Sequence, residues 1–592
     1  MRHLINTGLT LILIFAIGVL HAQTTTAPPK PPAPIAIDGI SQGGGWRLPE
    51  THFVSAKMPM RLVHPRSMPG NDETATWARH KYAYPGLEYR IPVSIQGGAY
   101  PFHYEIVSGP GWLSIGQQYG GDEYGVLSGI APATPQAAET VVLRVTDQEL
   151  TVIDIEFPLT VTTDGFIFVD ASVARSGDGT IGSPLKRFAE LHGDYYPGSG
   201  SLGNAGTTAY GGKRVYLRGG VHQVADIPTP YISWSGRPQV ILGYPGENVE
   251  LQHTNGQIRS LGADFFFSGI TSRYGPNLNL VEGGHWSEVD GQTPHTSNSW
   301  LYAYDNSWNM ENANRIFALG GGDRPTVFEW TVLEHRGGFN NTHTSLRSGG
   351  NEGAIFSSAR GAGSYRDYVT VYGARVQDLG RSLIHLYGTR YGVAENNVVL
   401  PDSGGPYTTT ATAVLYLKEQ NTFWSVRRNT SAEHALNLSG GGGLYLSAQN
   451  RNGHTDSVLI EAAYNLVVSV GNDRGRAFNF NQAGLAVEDY AEGHQVWGYR
   501  NTLIGSLRGG DRPYTVTFEN NVLMLGEGSN TSGYPAGGYP LSGNHRVVVV
   551  GEVGIIDSPA NWQTYLDADY KLKGTYREQY LGKVGHEISG SV

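Results

Sequence analysis

Short apolar stretches recur through the second half of the chain, and an asparagine opens most of them. The five asparagines are Asn397, Asn429, Asn465, Asn501 and Asn521, with intervals 429 − 397 = 32, 465 − 429 = 36, 501 − 465 = 36 and 521 − 501 = 20. Polar residues follow the second asparagine and partly follow the fourth. A short strand, a sharp bend and another short strand, repeated along a chain, are typical of the coils of a parallel β-solenoid.

Asparagine suits such bends for two reasons. It adopts the left-handed backbone conformation more readily than most residues. Its amide also donates and accepts hydrogen bonds, so that amides on stacked coils can bond to one another. We therefore expect the five asparagines to lie at bends in a left-handed conformation, with their side chains hydrogen-bonded from coil to coil.

The strands that precede these bends can be aligned on the asparagines, and residues 383–388, 414–419, 443–448 and 477–482 then fall into approximate register. Successive side chains of a strand point to opposite faces. The residues expected to point inwards are Ile384, Leu386, Leu415, Leu417, Leu444, Leu446, Phe478 and Phe480. The residues expected to point outwards are His385, Tyr387, Tyr416, Lys418, Tyr445, Ser447, Asn479 and Asn481. Residues 436–439 are an alternative third segment, and the sequence leaves that choice open.

Residues 84–163 contain several short alternating strands separated by turn residues, a pattern that predicts a β-sandwich. Within this stretch, residues 98–106, 110–115, 125–135 and 143–147 resemble bacterial immunoglobulin-like (Ig-like) modules. The resemblance implies a spacer or an accessory adhesion module rather than a catalytic domain.

The segment 168–191 combines a Val-Asp strand, a Gly-rich loop with Gly-Thr and Ser-Pro, and a short amphipathic stretch. It resembles the opening of right-handed parallel β-helix proteins of the pectate-lyase-like superfamily, in which such a segment plugs one end of the solenoid. The resemblance implies an all-β fold with a right-handed parallel β-helix over residues 164–592, preceded by the small Ig-like β-sandwich. A β-propeller is the alternative, but its blades would repeat every ~40–50 residues.

The first 22 residues read as a secretory signal peptide, because Arg2 precedes the apolar run 9–20 and the small residue Ala22 follows it. An uncleaved membrane anchor is the alternative. Residues 23–83 form a Pro-rich tether and an irregular lead-in. The chain has no cysteine, which excludes disulfides and thiolate metal sites. We expect a secreted bacterial protein, extracellular or periplasmic, without a membrane span after signal cleavage.

The composition of the chain indicates which class of molecule it binds. Charged residues make up only 16% of the chain and the net charge is −10, whereas 34 Tyr and 11 Trp supply aromatic surface. No basic patch is evident that would neutralise phosphates, which argues against nucleic acid. The expected partner is a polysaccharide, as substrate or ligand, and the sequence leaves the oligomeric state open.

The outward set of side chains fits a polysaccharide lyase. β-Elimination from a uronate needs a base, an acid and a cation that stabilises the enolate. We predict Lys418, Tyr416, His385 and Tyr387 as catalytic residues, with the lysine pKa lowered by burial or by neighbouring cations. The predicted substrate-binding residues, which would contact sugar rings or pair with carboxylates, are Arg390, Arg427, Arg428, Tyr445, Asn479 and Asn481.

Other interpretations remain open at this point. A lysine on a strand face is often only a solubilising charge, and Tyr416 and Tyr445 fit plain stacking or binding without chemistry. Arg427 and Arg428 cannot both face one way within a strand, so at least one of them is expected to be structural. The alternatives to a lyase are a glycoside hydrolase with paired carboxylates and a non-catalytic glycan-binding surface or adhesion protein.

Family-specific motifs are missing. The Asn-Lys-Ser and Leu-Arg-His-Gly segments of β-helices similar to chondroitinase B and alginate lyase are absent, as are the Asn-Thr-Asp, Asp-Asp and Gly-His-Gly segments of polygalacturonases. No cofactor is required by the chemistry above. The resemblance to pectate lyases allows Ca²⁺ held by Asp or Glu on adjacent coils, although no acidic triplet supports it specifically.

Overall fold

A computed structural model of the chain describes most of the strands and part of what joins them. The described residues are 35–36, 46–47, 53–65, 79–119, 123–188, 190, 213–223, 239–253, 265–268, 270–274, 301–304, 307–309, 317–319, 326–329, 332–334, 355–357, 365–377, 382–399, 413–419, 421–431, 444–446, 457–468, 478–480, 495–505, 507–509, 515–525, 546–550, 556–557, 561–581 and 583–587. The expected signal peptide, most of the tether, and Asn481 lie outside these residues.

Residues 53–163, which we call the N-terminal module, consist of short, mostly antiparallel strands. These strands are Arg61–His64, Tyr82–Ala83, Glu88–Pro92, Ser94–Gln96, His103–Ser108, Ser114–Ile115, Val126–Ile130, Gln136–Thr146 and Val152–Val161. A four-stranded and a three-stranded sheet share one hydrophobic core that contains Ile91, Leu127 and Leu143. Two sheets around one core agree with the sandwich that the alternating pattern predicts. Ahead of the module, Ile35–Ala36 pairs antiparallel with Trp46–Arg47.

The rest of the described chain forms three parallel sheets, named A, B and C here. Sheet A contains Phe166–Val169, Arg214–Leu217, Gln239–Gly243, Phe265–Ser268, Leu301–Tyr304, Thr326–Glu329, Arg366–Asp367, Val369–Tyr372, Thr389–Glu395, Thr422–Arg427, Leu459–Ala463, Gln495–Tyr499, Thr515–Glu519 and Arg546–Val550. Sheet B contains Gly220–Gln223, Val249–His253, Thr271–Tyr274, Ser307–Asn309, Val332–Glu334, Arg375–Gln377, Val398–Val399, Thr430–Ser431, Leu466–Val468, Thr502–Gly505, Val522–Leu525 and Ile556–Asp557. Sheet C contains Phe317–Leu319, Ile355–Ser357, Ser382–Tyr387, Ala413–Glu419, Leu444–Leu446, Phe478–Phe480 and Leu507–Gly509.

In its second half the chain visits sheets A, B and C in turn, and we call one such passage a circuit. Each strand pairs in parallel with the corresponding strand of the next circuit, as Val371, Ala394, Val426 and Ala462 do in sheet A. The protein is therefore all-β. A propeller blade is a separate four-stranded sheet, whereas sheet A alone contains 14 described strands.

Few helices accompany the strands. Among the described residues they are a 3₁₀ turn at Arg79–Lys81 and the helices Trp562–Tyr565 and Gly574–Tyr580. None of these is long and apolar enough to cross a lipid bilayer.

The predicted asparagine ladder lies at the bend between sheets A and B. The side-chain oxygen of Asn429 accepts from the backbone N–H of Asn397 at 3.1 Å and from its amide nitrogen at 2.8 Å. Asn465, Asn501 and Asn521 repeat both bonds in the following circuits. All five side chains are buried. The expectation that these amides bond from coil to coil is therefore confirmed.

The expected left-handed conformation of the ladder asparagines is wrong by one position. The left-handed residue of each bend is the one before the asparagine: Asn396, Arg428, Tyr464, Arg500 and Asn520, with φ between 52° and 58°. The reversal of direction falls on that residue, which leaves the asparagine free to turn its amide into the stack.

Neighbouring chain covers the first edge of sheet A and part of sheet B. At the beginning, Leu185 forms a bridge with Val169, and its backbone N–H donates to the carbonyl of Phe168 at 2.9 Å. After the last strands, Leu566 and Leu572 pack against Leu466 of sheet B, in a cluster that also contains Ile504 and Val522. An apolar edge and an apolar face that would otherwise meet water are thus covered.

Candidate functional site on sheet C

A column of polar and aromatic positions runs across sheet C, one position per circuit. Phe356 pairs with His385, His385 with Tyr416, Tyr416 with Tyr445, Tyr445 with Asn479, and Asn479 with Arg508. Adjacent strands lie ~4.8 Å apart. The predicted alignment of the four segments is therefore confirmed, and the ambiguity at the third is resolved, because the strand is Leu444–Leu446.

The residues on either side of this column are buried. Ile384, Leu386, Leu415, Leu417, Leu444 and Leu446 are each 0% exposed. These leucines and the isoleucine belong to the inward set that the alternating pattern predicted, and that part of the prediction is confirmed. The outward orientation of His385, Tyr416 and Tyr445 stays a prediction that rests on strand alternation.

A register shift at the end of two sheet C strands changes the predicted neighbourhood of Lys418. Leu386 pairs with Leu417, but Tyr387 pairs with Glu419, so Lys418 is the extra residue of a β-bulge. Tyr387 is 0% exposed. Its predicted outward position is therefore wrong, and the register shift means that it does not pair with Lys418. A fully buried tyrosine cannot contact a polymer substrate.

Arg427 was predicted to bind substrate carboxylates, and this is wrong. Its guanidinium is 0% exposed and forms an ion pair with Glu461 of the next sheet A strand. It also donates to the backbone carbonyl of Ile95 in the N-terminal module at 2.9 Å. Burial alone would lower the pKa of Arg427, but the Glu461 carboxylate, together with Tyr499, Glu395 and Tyr100, more than offsets burial and raises it.

Arg428 is held inside the protein in the same region, so its predicted role in substrate binding is also wrong. It occupies the left-handed position of its bend, with φ of 52°. Its guanidinium pairs with Glu395 at 3.1 Å and lies 4.9 Å from the ring centre of Tyr124 of the module. Both arginines are thus structural, whereas at least one was expected to be.

Arg390 lies on sheet A, next to the bend that leads in from sheet C. Two of its nitrogens bind the two carboxylate oxygens of Asp367, each at 2.8 Å. Its guanidinium also lies 4.3 Å from the ring centre of Tyr365. The bidentate geometry expected for a substrate carboxylate is therefore occupied by the protein's own carboxylate.

Sheets A and B are covered by the two ends of the chain. The N-terminal module lies on sheet A, where Gly97 donates its N–H to the hydroxyl of Ser425 at 2.9 Å. The C-terminal segment lies on sheet B through Leu566 and Leu572.

The long connections of the circuits border sheet C. Between sheets A and B, most connections contain only two residues, as at 396–397 and 428–429, although 244–248 and 551–555 contain five. Between sheets B and C, the connections span 400–412 and 432–443, and between C and A one spans 481–494. Insertions in a repeat protein tend to collect around the binding face.

Arg508 was missed by sequence reasoning. It follows Leu507 and precedes Gly509 in a strand of only three residues. The interval from Asn501 to Asn521 is the shortest of the series. The strand within it lacks the pair of apolar residues seen at Leu415 and Leu417, so alternation does not mark it. The register with Asn479 identifies it.

The described residues contain no group of three or more His, Asp or Glu side chains arranged to hold a metal ion. Comparison with known proteins adds no relationship: no family model matches the chain, and no curated protein matches it.

Proposed function

We propose that the chain is a secreted carbohydrate-active protein in which sheet C of a right-handed parallel β-helix cleaves a uronate-containing polysaccharide by β-elimination. The N-terminal module is proposed to be Ig-like, and residues 1–22 to be a cleaved signal peptide. The protein would then act outside the cytoplasm, without a resident cofactor.

The pairing of the strands supports the β-helix. Parallel strands, three sheets visited in turn, and a ladder of side-chain amides at one bend recur over successive circuits. A right-handed path is the rule for parallel strands joined by a crossover in one sheet. The covered first edge of sheet A fits the same architecture.

The column on sheet C carries the proposal. It brings a histidine, two tyrosines, an asparagine and an arginine into register on successive strands. These are the side-chain types that proton transfer and carboxylate binding require. The connections 400–412 and 432–443, which lead into this sheet, are longer than those between sheets A and B.

The proposed roles follow from what elimination demands. A base removes the proton beside the uronate carboxylate, the electron pair forms the new C4=C5 double bond, and the C4–O4 bond breaks. Tyr416 and His385 are the proposed base and acid, with Lys418 close in sequence as the alternative base. Arg508 and Asn479 are proposed to bind the substrate carboxylate, in place of the arginines that the structure buries.

The mature chain should release products that absorb ultraviolet light from alginate, pectate or glycosaminoglycan panels. Tyr416→Phe or His385→Ala is expected to lower kcat by about 10²–10⁴-fold, the usual contribution of general acid–base catalysis. Arg508→Gln should raise KM about tenfold or more, since bonds to charged groups are the strong ones. Arg187→Gln is the matched control, because Arg187 is exposed and pairs only with its neighbour Glu190.

Three results would contradict this proposal. New reducing ends without ultraviolet absorbance would indicate hydrolysis instead. Full activity in the Tyr416, His385 and Lys418 variants would remove the reaction from sheet C. Complete loss of activity after chelation, restored by Ca²⁺, would indicate a metal-dependent mechanism.

A second candidate is glycan binding without cleavage. The direct pairing of Tyr416 with Tyr445 favours it, because adjacent aromatic rings give sugars a stacking surface. In that case glycans would retard the protein in affinity gels without any change in glycan size. Tyr416→Ala with Tyr445→Ala would then abolish the retardation.

A further inference from the structure

We infer that the outer face of sheet A is a docking surface whose partner is the N-terminal module of the same chain, and that the two form one cooperative unit. The inference does not depend on the proposed function. It replaces the role of spacer or adhesion arm that the resemblance implied for the module. The contacts that carry it are charged, aromatic and backbone groups from both sides.

The first contact is the enclosure of Arg427. Sheet A supplies the guanidinium and its counter-ion Glu461, both with 0% exposed side chains. The module supplies the carbonyls of Ile95 and Gly97 as further acceptors. A buried charge is tolerated only when it is paired and hydrogen-bonded, and here the acceptors come from both parts.

The second contact is a close approach of the module backbone. The N–H of Gly97 donates to Ser425 of sheet A, and a Cβ at Gly97 would lie 2.2 Å from the carbonyl oxygen of Pro59. Gly97 also has a φ of 73°, where other residues are strained. The docking loop is therefore shaped by backbone geometry that only glycine allows.

The third contact is a set of tyrosine hydroxyls that bond across the boundary in both directions. Tyr100 of the module donates to Glu395 at 2.9 Å. In return, Tyr372 and Tyr464 of sheet A donate to the module carbonyls of Tyr124 and Tyr100, at 2.7 and 3.1 Å. All of these tyrosines are buried, so the boundary is as dry as a protein core.

The docking extends along much of sheet A. In its first strands, the Arg214 guanidinium lies 4.3 Å from the ring centre of Tyr82 and 4.1 Å from that of Phe166. In one of its last strands, Glu519 pairs with Lys57 at 2.7 Å. Undocking would expose aromatic surface over this whole length, which is unlike the smaller and more polar boundary of domains that move.

Hydrogen exchange of the full mature chain tests the inference directly. The slowest amides of the module strand 141–145 and of the sheet A strand 459–463 should share one opening equilibrium constant, within about threefold. Glu461→Gln should accelerate exchange in both by about a hundredfold, since it leaves Arg427 without its counter-ion. Arg144→Gln, in an exposed pair within the module, should change neither.

Separate opening of the module in the unmodified protein, at a rate that sheet A does not share, would overturn the inference without any variant. If Glu461→Gln does not fold, the milder Ser425→Ala takes its place and should accelerate both segments by a common factor of about ten. Acceleration confined to one segment would also overturn it.

Discussion

A ladder asparagine such as Asn465 satisfies backbone groups of the preceding circuit and bonds to the side chain of the next asparagine. The amide nitrogen of Asn465 donates to the carbonyl of Val426 at 2.9 Å and to the side-chain oxygen of Asn501 at 2.9 Å. Its own oxygen accepts two bonds from Asn429. All of these groups are buried, where water does not satisfy them. The asparagine amide supplies their hydrogen bonds instead.

Asn465→Ala is expected to lower the free energy of unfolding by at least about 2 kcal/mol, because buried donors and acceptors lose their partners. Urea denaturation measures the change. Gln563→Ala, at an exposed glutamine of the C-terminal segment, is the control and should remain within about 0.5 kcal/mol of the parent. A difference between the two variants below about 1 kcal/mol would contradict a structural ladder.

At the scale of elements, the beginnings of three successive passages through sheet A are shaped by aromatic packing. Tyr368, Tyr391 and Phe423 lie there, each with a left-handed φ. Their rings stack with centres 5.4 and 5.2 Å apart. Beside them, Trp424 pairs in register with Gly392 and fills the space where a side chain at residue 392 would lie.

Gly392→Ala should therefore destabilise the protein by about 1–3 kcal/mol through overpacking. A Cβ at this position would meet ring atoms of Trp424 at 2.1–2.4 Å. Gly111→Ala is the matched control, since a Cβ there meets nothing within 4 Å. Thermal unfolding of both variants measures the effect. Equal melting temperatures would contradict overpacking, because the Trp424 ring would then move aside without a cost in stability.

At the scale of the whole molecule, the protonation of buried histidines changes the free energy of unfolding of the module and the sheets together, because the two are docked. His80 lies in the 3₁₀ turn of the module, edge-on to Phe157, with ring centres 5.3 Å apart. Burial, with a smaller contribution from Lys81, lowers the pKa of His80 to about 3. In the C-terminal segment, burial and nearby cations lower the pKa of His586 to about 4. Both imidazoles are neutral in the folded protein.

The stability of the whole chain should fall as the pH drops below 6.5. The unfolded chain binds a proton at His80 near its ordinary pKa of 6.5, whereas the folded chain does not until about pH 3. The contribution of His80 to the free energy of unfolding is therefore complete above pH 6.5. It is lost as the pH falls from 6.5 towards 3, at up to about 1.4 kcal/mol per pH unit.

His80→Phe removes this titration and should flatten the slope by about one proton, as measured by urea unfolding between pH 4 and 7. The slope, not the absolute stability, is the readout, because the larger ring also changes packing. Gln563→Ala should retain the parent slope. An unchanged slope in His80→Phe would show that the pKa of His80 is the same in the folded and the unfolded chain.

Much of the architecture follows from local patterns in the sequence. The spacing of the asparagines and the alternation in 383–388, 414–419 and 443–448 predict short stacked strands, their register and their buried leucines. Short segments are enough to predict these features, because a strand with one apolar face has only one favourable register. The same reasoning identifies His385, Tyr416, Tyr445 and Asn479 as one column.

Only the tertiary structure determines whether the charged residues are buried or exposed. Nothing near Arg427 or Arg428 in the sequence indicates that a module more than 250 positions earlier would cover them, as the contact from Arg427 to Ile95 does. The bulge at Lys418 and the burial of Tyr387 depend likewise on how distant strands pack together. Alternation determines which face a side chain points to, but only the packing of distant segments determines whether that face meets water.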